Sequence, residues 1–255
     1  MKPTTRPLSR ANLPENTADI LLVSGRASEC RKALINKGFR VLPVADNDCL
    51  GSSISSHPDM RYMYFGQGVL YTDNIADTPS EVKEKFDNTV IRDNLTEAYP
   101  GDARLNCVTL DKYFICNEKS VSKTILDFAY RSGLEIIFVN QGYTKCSICI
   151  LNENAIITDD KSIYTAAQIF LNDVTFISKG SIRLNGMNYG FIGGCTGKLS
   201  KNEIAFSGRI ESHDNHNDIY DSLIRNNITA TELTDGPLED IGSIIPLTEH
   251  IQPDF

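Results

Sequence analysis

No apolar run in the chain approaches the roughly 18 residues that a membrane-spanning helix needs, so no membrane partner is expected. Basic residues are in deficit. Twenty-five Lys and Arg stand against 33 Asp and Glu, giving a formal net charge of −8, and the basic residues are scattered. Such a surface is poorly suited to a phosphate backbone, which argues against nucleic acid as a partner. The opening segment MKPTTRPLSRANLPEN is polar and proline-containing, without the apolar stretch of a secretory signal. Seven cysteines form no paired framework, so a reducing, cytoplasmic location is expected. No linker or low-complexity stretch breaks the remainder. We therefore expect a loosely docked arm over residues 1–16 and one domain over 17–255.

What the chain does contain is repetition. A Gly-containing polar loop, a strand, a tight turn, a second strand, a helix and a third strand recur in that order. The clearest copy runs through SVSKTILDFAYRSGL, where Val121, Ile125, Leu126, Phe128 and Ala129 fall at helical spacing and Gly133 supplies a C-cap. The strand EIIFVN, the loop QGYTKCS and the strands SICIL and AIITDD follow. Turns align at Gly66-Gln67, Asp111-Lys112, Asn152-Glu153 and Lys201-Asn202, so the period is about 40–50 residues. A degenerate fifth copy spans NDIYDSLIRNNITATELTDGPLEDIGSIIPL, and the first copy has a further strand and helix of its own in ADILLVSG, ASECRKALINKGF and RVLPVA. The expected fold is therefore α/β: a ring of five ββαβ blades, closed by pairing Ile20–Ser24 with Ser243–Leu247.

In such a ring the loops that precede each hairpin face the central axis. Those loops are SSHPDM, YPGDARLN, NQGYTKCS and FIGGCTGK. Cys146, beside Lys145, is a candidate thiolate, and Cys195 is a second candidate within Gly-Gly-Cys-Thr-Gly-Lys. The latter spacing is not that of a phosphate-binding loop. Cys146 and Cys149 make a lone Cys-x-x-Cys with no second pair to complete a zinc site. His57 and Asp59 lie two apart, on one face of an extended segment, and could hold a cation and shuttle a proton. The cluster His213-Asp214-Asn215-His216 reads as a solvated loop leading into a helix.

These residues resemble those of the pentein superfamily, the five-bladed fold of guanidino-group-modifying enzymes. Gly142-x-Thr144-Lys145-Cys146-Ser147 with ENAIITDD, and GFIGG followed by Gly-Lys, resemble more closely a bacterial family of unassigned function described as having that fold. The closer resemblance covers most of residues 17–245. It implies a Cys nucleophile at Cys146 and a His-x-Asp pair at His57 and Asp59, two blades apart. In the superfamily's enzymes the Cys lies near the C-terminus, whereas here it is mid-chain, so the arrangement would be a rotated one. Asp102, Asn140, Gln141, Asp159 and Cys195 are further candidates for holding substrate, and Asp160 is a possible additional carboxylate.

The resemblance implies a Cys-dependent hydrolase, deiminase or amidinotransferase acting on a small guanidino or amidine-like cation. Neither a metal nor an organic cofactor is required. The alternative is a non-catalytic binding module for a macromolecular partner, in the manner of the translation factor that shares the fold. An apolar, filled axis would favour that alternative.

Overall fold

The computed structural model describes residues 4–251. Five three-stranded sheets account for most of the strands, and each has the same internal order. The first blade comprises Tyr62–Gly66, Val69–Thr72 and Asp87–Val90, and the second Val108–Leu110, Tyr113–Cys116 and Glu135–Phe138. The third comprises Ile148–Asn152, Ala155–Thr158 and Asp173–Phe176, and the fourth Thr196–Ser200, Glu203–Phe206 and Thr229–Glu232. In each, the first two strands form an antiparallel hairpin and the third returns parallel to the second after a helix. The fifth blade joins the two ends of the chain: Ile245 pairs antiparallel with Leu22, and Ile20–Ser24 runs parallel to Arg40–Val44.

Side-chain alternation closes these blades into a ring. Along Tyr113–Cys116, Tyr113 and Ile115 pack with Ile148, Ile150 and Ile156 of the third blade. Phe114 and Cys116 point the other way, against Met63 and Tyr71 of the first. The third blade meets the fourth through Cys149, Leu151 and Ile157 against Ile204 and Phe206. The fourth meets the fifth through Leu199 and Ala205 against Leu21 and Val23. The fifth meets the first through Ile20, Leu22 and Ile245 against Tyr62, Tyr64 and Leu70. The inner strands of the blades are thus buried on both faces, which is why strands such as Ile20–Ser24, Tyr113–Cys116 and Ala155–Thr158 read as continuous apolar runs. Third strands such as Asp87–Val90, Asp173–Phe176 and Thr229–Glu232 are half-buried or exposed.

The helices, Ser28–Asn36, Ser80–Lys85, Lys123–Arg131, Lys161–Ala167 and His216–Arg225, connect the second and third strands of successive blades. Two begin with side-chain caps: Ser122 accepts from Thr124 N–H, and Asp160 accepts from the Ser162 and Ile163 N–H groups. Gly133, just past Lys123–Arg131, has φ +72°, the left-handed conformation expected of it. No helix among the described residues is long and apolar enough to cross a membrane.

One expectation is corrected. The described part of the segment read as a loosely docked arm is integrated into the molecule. Thr5–Pro7 pairs antiparallel with Thr248–His250. Leu8, Ala11 and Leu13 are buried. The buried Glu249 carboxylate accepts from Arg6 Nε at 3.0 Å and from the Glu15 and Asn16 N–H groups at 2.7 and 2.8 Å. These partners lie more than 230 positions away in sequence, so local composition gave no sign of them.

Candidate functional site

The loops that precede the first strands of the five blades meet on the ring's axis. Met60, Asn106, Cys146, Gly194 and Ser243 each lie two residues ahead of such a strand. Hydrogen bonds link neighbours around the circle. Asn106 Nδ2 donates to Asp59 O at 3.2 Å, and its Oδ1 accepts from the Lys145 and Cys146 N–H groups at 2.7 and 3.1 Å. Gly194 N donates to Cys146 O, Ser243 N to Gly194 O, and Asp59 N to Gly242 O. Pseudo-fivefold repetition therefore brings chemically different residues to equivalent places.

His57 and Asp59 sit on the one-turn helix Pro58–Arg61, which His57 precedes as N-cap. Arg61 anchors that turn from beneath. Its guanidinium is fully buried and donates to Asp73 at 3.0 and 3.2 Å, to Asp77 at 3.2 Å and to Ala45 O at 2.8 Å. Asp59 is then aimed at the axis, where its Oδ2 accepts from the Cys146 thiol at 3.2 Å and from Ser243 Oγ at 2.5 Å. Asn106 Nδ2 also reaches the sulfur, at 3.0 Å. Lys145 Nζ donates to Ser243 Oγ at 3.0 Å and brings a buried positive charge to the group.

Carboxylates dominate this centre. Asp59, Asp102, Asp159 and Asp240 are all buried. Asp240 accepts from Phe191 N and Gly242 N, both at 3.0 Å, and its Oδ1 lies 3.7 Å from His57 Nδ1. Asp159 accepts from the adjacent Ile192 N at 3.1 Å, so one loop hangs from two carboxylates. Asp102 accepts from Tyr143 OH at 2.6 Å. One oxygen each of Asp59, Asp102 and Asp159, and Nδ1 of His57, is buried with no hydrogen-bond partner.

Burial sets the protonation states. It raises the Asp59 and Asp102 carboxyls, lifts Asp240 to about 6 and lifts Asp159 to about 7. It lowers His57, which favours the neutral imidazole, against the attraction of Asp59. Burial, together with the charges of Asp59 and Asp240, pushes the Cys146 thiol well above 9.0. In this closed state Cys146 is therefore a protonated donor, 3% exposed, covered by apolar neighbours that include Leu50, Met60 and Tyr143. A cavity of about 690 Å³ reaches His57 and Asp240 from one side, and neither Cys146 nor Asp59 lines it.

Of the residues singled out from sequence, Cys146 and Asp59 are in direct contact, and His57 is in the same turn as Asp59. Asp102 and Asp159 stand around them through Tyr143 and the 191–195 loop. Cys195 is set apart: its sulfur contacts the Phe191 and Ile192 carbonyls, and it packs in the core between the third and fourth blades. Asn140 is exposed, and its backbone N–H donates to Ser162. Gln141 donates to Asp160, the cap of the following helix, which also pairs with Lys179. Asn106, Lys145, Ser243 and Asp240 were not singled out from sequence as members of the site. Their common offset from the blade strands was the available signal for Asn106 and Ser243. Among the described residues, no three His, Cys, Asp or Glu side chains gather in a way that could hold a metal ion.

No curated protein matches the sequence. Several solved structures share the fold. SxtG, an amidinotransferase of the saxitoxin biosynthetic pathway from Microseira wollei, superposes with a TM-score of 0.58 at 8% identity, over 96% of this chain and 97% of its own. An agmatine deiminase from C. jejuni gives 0.53 at 8% identity, over 90% and 91%. A Cys-to-Ser mutant of the dimethylarginine dimethylaminohydrolase from Pseudomonas aeruginosa, complexed with citrulline, gives 0.55 at 7% identity, over 92% and 100%. At such identities the likeness is one of fold, that of the pentein superfamily. The family of unknown function DUF6873 matches residues 22–245, and the chain belongs to it.

Proposed function

We propose that this protein is a thiol-dependent enzyme acting on a small guanidino or amidine-like cation. The carrying observation is the contact between the Cys146 thiol and Asp59, with three more buried aspartates around it and one buried lysine, Lys145, near Asp59 and Asp240. Such a cluster is short of positive charge, and a guanidinium offers five N–H donors in a planar fork that suits paired carboxylates. That solved structures of the same fold include an amidinotransferase, an agmatine deiminase and a hydrolase holding citrulline supports the substrate class.

The bound cation would stabilise the thiolate as Asp59 Oδ2 takes the thiol proton. Sulfur would bond to the central guanidino carbon. The carbon–nitrogen bond would break, and the departing amine would leave with a proton delivered by His57 and replaced from Asp59. Water would then add to carbon and release the thiol, one of the water protons returning to sulfur and the other leaving through His57 to solvent. In a transfer reaction a second amine would add instead and return one proton to sulfur. Because Cys146 is covered, substrate access requires its apolar cover to move.

That cover favours a second reading, a non-catalytic binding module in which Cys146 merely fills the axis. Chloroacetamidine labelling followed by peptide mapping separates the two, alongside a turnover screen of guanidino compounds. The enzyme reading expects the amidine probe to modify Cys146 ahead of Cys195, protection by a substrate, and loss of labelling with preserved stability in Cys146→Ser. No turnover, no calorimetric binding and no preference for Cys146 would leave the binding module standing.

A further inference from the structure

A second cavity, of about 490 Å³, opens at the opposite end of the blades, between the hairpin turns of the third and fourth. The strand Ile148–Asn152 runs from the Cys146 loop to this cavity, a span of roughly 13 Å at strand rise. Its volume is in the range of small-molecule sites, about 300–1,000 Å³.

Lys198, on the cavity wall, is 2% exposed. Its ammonium donates to Lys201 O at 2.8 Å and forms no ion pair with any described carboxylate. A buried ammonium with one carbonyl partner is poorly compensated, and burial lowers it to about 8. Lys201 adds positive charge at the mouth, where Arg10 also stands, 3.9 Å from each of Glu15, Asp111 and Glu153. Of the two acids on the wall, Asp173 is already paired with Arg225 at 3.1 Å, and Glu153 lies 3.9 Å from Arg10. Four exposed asparagines, Asn154, Asn172, Asn202 and Asn227, also line the space, and their side-chain amides bond to no other described residue. Each amide can both donate to and accept from a hydroxyl.

We propose that this cavity binds a small hydroxylated oxyanion, a sugar acid or sugar phosphate, with its anionic group on Lys198 and its hydroxyls on the asparagine amides. The site is separate from the Cys146 centre and does not depend on the activity proposed for it. Calorimetry with gluconate and with glucose 6-phosphate distinguishes carboxylate from phosphate as the anionic group, with inorganic phosphate and glucose as the two halves of the recognition. At least one of the two sugar anions should bind, more tightly than either half. Lys198→Met should weaken that binding by about tenfold or more. Arg10→Ala and Lys201→Ala, at the surface, should weaken it severalfold and serve if Lys198→Met does not fold. Cys146→Ser should leave it unchanged. The proposal is overturned if neither sugar anion binds, if glucose or phosphate binds as tightly, or if binding survives the Lys198, Arg10 and Lys201 substitutions undiminished.

Discussion

The thiol of Cys146 donates to the carboxylate of Asp59 at 3.2 Å across 87 residues of sequence. The second blade of the ring separates their hairpins along the chain, and the contact exists because both loops end at the same height on the axis. Neither residue reaches it unaided. Arg61 holds the turn of Asp59 through Asp73, and Asn106 holds the backbone of Cys146.

Asp59 and His57 should be separable by substitution. Asp59→Asn removes both a charge that a cationic substrate would meet, at a cost of roughly 1.5–3 kcal/mol, and the acceptor of the thiol proton, so KM should rise about ten- to a hundred-fold and kcat should fall with it. His57→Ala removes the group that moves protons, which commonly contributes on the order of 10²–10⁴ in rate, so kcat should fall with binding retained. Steady-state kinetics on whichever guanidino compound the wild type turns over checks both. A KM rise as large in His57→Ala as in Asp59→Asn would refute the division.

Asn106→Ala should destabilise the fold by roughly 2–6 kcal/mol, because it strips the acceptor from two buried N–H groups at a cost of about 1–3 kcal/mol each. Urea unfolding measures this directly. A loss below 0.5 kcal/mol, on the order of an ordinary surface substitution, would mean that the Asn106 bridge contributes little.

The repeated hairpins were legible because turn residues punctuate them at a fixed period. The turns at Asp111-Lys112 and Lys201-Asn202 stand where expected. Two others are displaced by one residue, since Gly66 pairs with Val69 and Asn152 with Ala155. Register irregularities occur between Tyr64 and Gly66 and between Ile150 and Asn152, but also between Lys198 and Ser200 in a hairpin whose turn is not displaced, and alternation alone does not reveal a bulge. At the site, Cys146, His57 and Asp59 are legible because a thiol, an imidazole and a carboxylate are the side chains that carry such chemistry. Asp240 escaped because the fifth blade has no hairpin of its own to mark its loop. Asn140 and Gln141 share the Cys146 loop in sequence, yet they turn outward to Ser162 and Asp160.

The N-terminal segment should contribute to global stability. Glu249→Ala would leave the Glu15 and Asn16 N–H groups without their acceptor and Arg6 without its partner. Since the N–H groups lie near the surface and can recruit water, roughly 1–3 kcal/mol is expected. Leu8→Ala, at a fully buried position, should cost about 2–5 kcal/mol. A segment that docks loosely would show neither loss in urea unfolding.

Asp159 gives the clearest pH signature. Its carboxyl is raised from 3.8 to about 7, chiefly by burial. The folded state therefore binds a proton more tightly than the unfolded one. This contribution to stability is fully present below about 3.8 and is lost as pH rises through about 7. A displacement of that size corresponds to roughly 4 kcal/mol as an upper bound. Asp159→Asn keeps an acceptor for the Ile192 N–H while removing the titration. Unfolding free energies of the two proteins should thus diverge between pH 4 and about pH 8 in favour of the variant. His57 is lowered and titrates with the opposite sign, losing stability below about 6.5, but it is common to both proteins and largely cancels in the difference. Asp240 cancels less completely, because its negative charge raises Asp159, and the neutral amide relieves that repulsion. A constant difference across the range would show that Asp159 ionises in the folded protein as readily as in the unfolded chain. A cationic ligand at the centre should compress the divergence by favouring the charged carboxylate, and repeating the series with a bound guanidino compound tests that link.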